Sequence, residues 1–108
     1  MQCTQAINHV ANNDLDALLA MYSEQLLAIP KVVKKITNRH KKVHARISKH
    51  QGVDSIKNTK AYYSDSGRNL QVSTRMNVIY KDNRKRVYIC MLGHTAESDV
   101  WTLRAPIL

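Results

Sequence analysis

The 108 residues match the common size of one folding unit and leave no room for two separate cores. Apolar residues make up 44% of the chain, Gly and Pro are sparse, and no apolar run approaches the roughly 20 residues of a membrane-spanning helix, so the composition reads as globular. Seventeen Lys and Arg against eight Asp and Glu leave +9, and +8 of it lies between Lys31 and Lys49, where eight basic residues stand without an acid.

In chain order, Ile7, Val10 and Ala11 recur at helical spacing over Cys3 to Ala11, and the Asn12-Asn13-Asp14 cluster interrupts the pattern as a turn. Asp14 is the expected N-cap of a second short helix, in which Leu15, Leu18, Leu19 and Tyr22 form a stripe and Asp16 sits near the positive end. Pro30 suits the first turn of a third, longer helix. Val33, Ile36, His40, Val43, Ile47 and His50 follow at steps of three or four, and Gly52 ends it in a left-handed cap.

After Gly52 the period becomes two. Ser55 to Tyr63 reads as a strand ended by the Ser64-Asp65-Ser66-Gly67 turn. Leu70, Val72, Thr74, Met76, Val78 and Tyr80 alternate with Gln71, Ser73, Arg75, Asn77 and Ile79 as one covered sheet face, Asp82-Asn83 is a hairpin turn, and Arg84 to Leu92 returns. Val100 to Ala105 closes the sheet, with Trp101 expected to plug the core against Leu15, Leu18 and Leu19. Three helices followed by about four meandering strands predict a single α+β domain over residues 1–108, with helices packed on one face of a curved antiparallel sheet. The predicted core is Leu15, Leu18, Leu19, Ile36, Val43, Ile47, Val72, Val78 and Trp101.

Cys3 and Cys90 are too few for a disulfide scaffold and lack metal-site spacing. They can pair only if the N-terminus lies against the strand carrying Cys90; two unrelated thiols, one of them buried, is the expectation. No charged segment followed by an apolar run opens the sequence, so it shows no signal peptide, although Met-Gln-Cys is also compatible with a lipidated Cys3 behind a lost leader.

The stretch Gln5-Ala-Ile-Asn-His-Val-Ala-Asn-Asn-Asp-Leu-Asp-Ala-Leu-Leu-Ala-Met-Tyr22 resembles the opening of the nuclear transport factor two superfamily, with its amphipathic helix, small-Asp-Leu jog and second helix ending in Tyr. Gly52-Val-Asp-Ser-Ile56, Val78-Ile-Tyr-Lys-Asp82 and Asp99-Val-Trp-Thr-Leu103 are similar to the strand starts, hairpin and closing Trp of its small lipoprotein-type members. The resemblance implies a cystatin-like cone, in which the sheet wraps the helices around a pocket, and homodimers through the open sheet face, where Ile79 is expected to be exposed. It implies architecture and not chemistry, because the fold serves enzymes, carriers and adaptors alike.

On that cone the pocket candidates are Tyr22, His40 and Tyr80. His40 lies on the apolar stripe and also reads as a hydrogen-bonded core histidine, and a metal is not expected because no carboxylate or Cys lies near His40 and His44 in sequence. Asp99 completes the set a catalytic cone would need, but its Glu97-Ser98-Asp99 setting reads as a solvated turn. No paired carboxylates, phosphate loop or nucleophile with a base is visible, so the sequence reads as non-enzymatic and free of cofactor.

The expected function is a binding or assembly module, envelope-associated or periplasmic, that contacts an acidic protein or anionic membrane surface. Its candidate contacts are Lys34, Lys35, Arg39, Lys42, Arg46 and Lys49 of the long helix with Arg84 and Arg86 of the hairpin. Nucleic-acid association without sequence preference, in a cytoplasmic protein, is the alternative. A small-molecule enzyme in the cone is a third, and a solvated, solubilising face competes with every partner.

Overall fold

The computed structural model describes residues 2–65, 69–95 and 101–104. Four helices come first: α1 (Gln2–Ala11), α2 (Leu15–Leu19), α3 (Glu24–Leu27) and α4 (Pro30–Lys49). The strands β1 (Val53–Asp65), β2 (Asn69–Tyr80), β3 (Lys85–Thr95) and β4 (Thr102–Leu103) then form one antiparallel sheet in the order β1-β2-β3-β4. This is the expected α+β order, with the helices on one face of the sheet.

Local chemistry explains the helix ends. Asp14 accepts the Ala17 N–H at 3.1 Å and caps α2 as expected. The short α3 was not foreseen, which makes the long helix the fourth; Ser23 caps α3 by accepting the Leu26 N–H at 3.3 Å. At the end of α4 the left-handed residue is Gln51 (φ 70°), followed by Gly52 at φ 104°. The Gly52 N–H reaches Ile47 O at 2.9 Å and the Gln51 N–H reaches Ser48 O at 3.1 Å, the paired bonds of a Schellman cap. The cap lies one residue earlier than the glycine suggested. Gly52 O then accepts the Lys81 N–H at 2.9 Å, joining the end of the helix to the β2–β3 hairpin.

In that hairpin Asn83 N–H bonds to Tyr80 O and takes φ 68°, while Asp82 holds the Arg84 N–H at 3.0 Å, so Asp-Asn supplies the turn its geometry requires. Register shifts in β1 between Val53 and Ser55 and between Asn58 and Lys60 interrupt its pairing with β2, and such bulges bend a strand. The turn expected over Ser64 to Gly67 falls in part outside the described residues, as do Asp99, Val100 and Ala105.

α4 presents Ile36, His40, Val43 and Ile47 to the core, and β2 and β3 answer with Met76, Val78, Tyr80, Tyr88 and Cys90, all buried. Cys3, Ala6, Ile7 and Val10 of α1 close the same cluster. Four expected core residues are only half-buried: Leu15, Leu19, Val72 and Trp101. β4 is two residues long, and Trp101 stands before it, edge-on to His94 with ring centroids 4.5 Å apart. Leu103 takes the plug position instead; it is fully buried, donates its N–H to Met21 O at 2.8 Å and bridges Tyr22.

Cys3 and Cys90 form a disulfide, with their Cα atoms 5.9 Å apart and a sequence separation of 87. This corrects the expectation of unrelated thiols and removes the lipidated Cys3: α1 lies against β3 and brings the sulfurs together in the core. Cross-linking so distant a pair removes much of the unfolded chain's freedom. Replacing both cysteines by alanine is therefore expected to lower the unfolding free energy by about 2–5 kcal/mol, read as an earlier midpoint in denaturant titration. A double variant as stable as the parent would show that the bond contributes nothing.

Candidate functional site

Because the side chains of a helix repeat every 3.6 residues, the buried stripe of α4 dictates where its charges go. Lys31, Lys35, Arg39, Lys42, Arg46 and Lys49 follow one another at steps of four and three along one flank, roughly 27 Å at 1.5 Å per residue. Lys35, Lys42 and Lys49 are exposed, while Arg39 and Arg46 are half-buried where the flank meets the rest of the domain. Lys34, with Lys41, is exposed on the outer side of the helix, apart from this row. The expected cationic face is thus a flank joined to the sheet rather than an isolated outer surface.

On the sheet side of that junction Arg86 was expected and Tyr88 was not. Arg46 Nη1 donates to the Tyr88 hydroxyl at 3.4 Å, and the Arg86 guanidinium carbon lies 5.8 Å from the centroid of the same ring. The Tyr88 hydroxyl also shares a 2.6 Å hydrogen bond with the Tyr80 hydroxyl inside the core. Burial first, then this bond, pushes the Tyr80 phenol well above the ordinary tyrosine range, and Arg46 and Arg86 partly oppose the rise. His50 stacks on Tyr80 with centroids 4.8 Å apart and pairs through Nδ1 with Asp82 at 2.6 Å. Desolvation works to raise Asp82, but the His50 bond and the Arg84 N–H hold it below its usual value. Arg84 itself is exposed.

Among the described residues two of the three pocket candidates share a void. Tyr22 and His40 line a void of about 10 Å³ with Val10, Leu18, Ile36, Arg39 and Val43, room for the centre of one water. Tyr80 is not among its lining residues and serves the tyrosine pair instead. Burial raises the Tyr22 phenol well above its ordinary value. His40 Nε2 donates to Asn13 Oδ1 at 3.0 Å and His44 Nδ1 donates to Val10 O at 2.9 Å, so two stacked histidines fasten α4 to the end of α1. Among the described residues no three His, Cys, Asp or Glu side chains converge as metal ligands do.

On its far face the sheet exposes Tyr62, Val87 and Ile89, with Ile79 half-buried rather than exposed, among Lys57, Arg75 and Lys85. This is the face the expected homodimer would use.

Desolvation lowers the His40 pKa from 6.5; His44 lowers it further, and Asp14 partly opposes. Above pH 6.5 His40 is neutral folded or unfolded, whereas below it the unfolded chain gains a proton that the folded chain refuses. Stability therefore falls as pH drops through 6.5 and levels off once the folded pKa is reached. The stability gap between the parent and His40→Gln is expected to narrow from pH 7.5 to pH 5 in denaturant titrations. A constant gap would show that His40 protonates freely in the folded protein.

No protein-family profile matches the chain, and no curated protein sequence does either. Among solved structures, a candidate NTF2-like transpeptidase from Campylobacter jejuni is similar, at a TM-score of 0.75 over 94% of this chain and 93% of that one, with 12% sequence identity. The likeness spans almost the whole of both chains: this protein, with its helices on one face of a four-stranded antiparallel sheet, has the nuclear transport factor two-like fold.

Proposed function

We propose that the protein is a non-catalytic binding or assembly module that holds an acidic partner, an acidic protein or an anionic membrane surface, along the basic flank of α4. The observation that carries this reading is the row Lys31, Lys35, Arg39, Lys42, Arg46 and Lys49 on a helix that contains no acid. An uninterrupted positive strip of this length suits an extended anionic surface better than a point ligand. A buried disulfide supports an oxidising setting such as the cell envelope, where nucleic acid is not the usual partner.

Catalysis receives less support. The name of the Campylobacter jejuni neighbour suggests acyl transfer, which calls for a nucleophile beside a base. Here both cysteines are tied to each other and buried. Ser48 lies 3.5 Å from His44 Nε2, but the other His44 nitrogen is committed to a main-chain carbonyl, which steadies an imidazolium less than a carboxylate would.

The charge reversal Lys35→Glu/Arg39→Glu/Lys42→Glu tests the flank. Retention should be measured on anionic vesicles, neutral vesicles, polyglutamate and duplex DNA at two salt concentrations. The parent is expected to hold anionic vesicles or polyglutamate in a salt-sensitive way, and the variant to lose most of that retention. Retention by neither, or equal retention of parent and variant, would return the flank to a solubilising role, and retention of DNA alone would select the nucleic-acid alternative.

A further inference from the structure

Two arginines from different elements converge on one side chain. Arg46 comes from α4 and reaches the Tyr88 hydroxyl, and Arg86 comes from β3 and stands over the Tyr88 ring. Tyr88 is fully buried and fixed at its hydroxyl by Tyr80, and Tyr80 is backed by the His50 ring, so the platform beneath the two guanidinium groups is rigid. Fixing an arginine in advance removes much of the side-chain entropy a ligand would otherwise have to overcome.

Among the described residues neither of these two arginines has a carboxylate within ion-pair distance: Asp82 pairs with His50 and is further occupied by the Arg84 N–H. Lys42 and Lys49 lie one turn to either side of Arg46 on the same flank and add to the positive potential. Two like charges held near one buried phenol repel each other, and an anion that accepts from both removes the repulsion.

The geometry points to a binding notch for a phosphate-type oxyanion between Arg46 and Arg86, with Tyr88 as the positioning residue. Planar guanidinium forks match the paired oxygens of a tetrahedral phosphate, and a group carrying close to two negative charges compensates both arginines at once. Tyr88 sets where the forks stand and does not itself meet the ligand, since it is buried. The notch deepens the reading of the α4 flank as an anion-binding surface and rests on it: the row supplies general attraction and the notch selects the phosphate group. Free phosphate and a phospholipid headgroup share this chemistry.

The test uses the full chain and inorganic phosphate, titrated by NMR or calorimetry at constant ionic strength with chloride as the control anion. Arg86→Gln is the discriminating variant, because Arg86 is exposed, lies off α4 and takes no part in the row. It is expected to weaken phosphate binding about tenfold, the effect of one charge-assisted contact. Tyr88→Phe should weaken it less, and Lys35→Glu should change it by under about threefold while still reducing retention on polyglutamate. Preference for phosphatidate vesicles over phosphatidylserine vesicles of matched charge, lost in Arg86→Gln, would assign the site to a lipid headgroup; no preference, with Arg86-dependent binding of inorganic phosphate, would assign it to free phosphate. No phosphate binding by the parent, or equal binding by Arg86→Gln, overturns the notch even where the charge-reversed flank has lost its polyanion. Arg86-dependent phosphate binding alongside an unaffected charge-reversed flank upholds the notch and removes the wider surface.

Discussion

The packing of one side of α4 against the sheet is the constraint on which the other features depend. Ile36, His40, Val43 and Ile47 can be buried together only if the helix lies across Met76, Val78, Tyr80, Tyr88 and Cys90, and that choice fixes its rotation about its own axis. Once the rotation is fixed, the basic residues have no freedom: some point to the outer solvent, and the rest line the seam with β3. The disulfide, the closing role of Leu103 and the meeting of Arg46 with Arg86 all presuppose the same seating.

Polar groups in this core hold the seating in register. His40 bonds to Asn13, His44 to the Val10 carbonyl and Arg46 to the Tyr88 hydroxyl. A slide of α4 by one turn would strand these groups without their partners, a larger cost than a shift of aliphatic contacts. One of them, His40, also lines the small void beside Tyr22.

Much of this was legible in the residues. The bounds of α4 follow from Pro30, the three-and-four spacing and the Gly52 signal, and the alternation from Leu70 to Tyr80 marks a half-covered strand. α3 was not legible because four residues are too few to show a period, although Ser23 followed by Glu24 carries the cap chemistry that could have marked it. Trp101 misled because size and alternation favoured it equally with Leu103, and only the shortness of β4 decides between them. The Cys3–Cys90 pairing and the Arg46–Tyr88–Arg86 junction depend on contacts between distant segments, and local spacing does not encode these. The tyrosine pair left a trace: the Asp82-Asn83 turn sets the pairing of β2 with β3 and places Tyr80 and Tyr88 on one face.

The span of the disulfide has a consequence for how the protein is made. A ribosome releases Cys3 long before Cys90, and the partner thiol becomes usable only when β3 has emerged and paired with β2. During that interval α1 carries a waiting thiol that other oxidants and cysteines can reach. Native pairing is therefore governed by the arrival of the sheet and not by the reactivity of either cysteine. Any substitution that delays the β2–β3 hairpin lengthens the period in which nascent chains can cross-link to one another, even where the finished fold would tolerate the change.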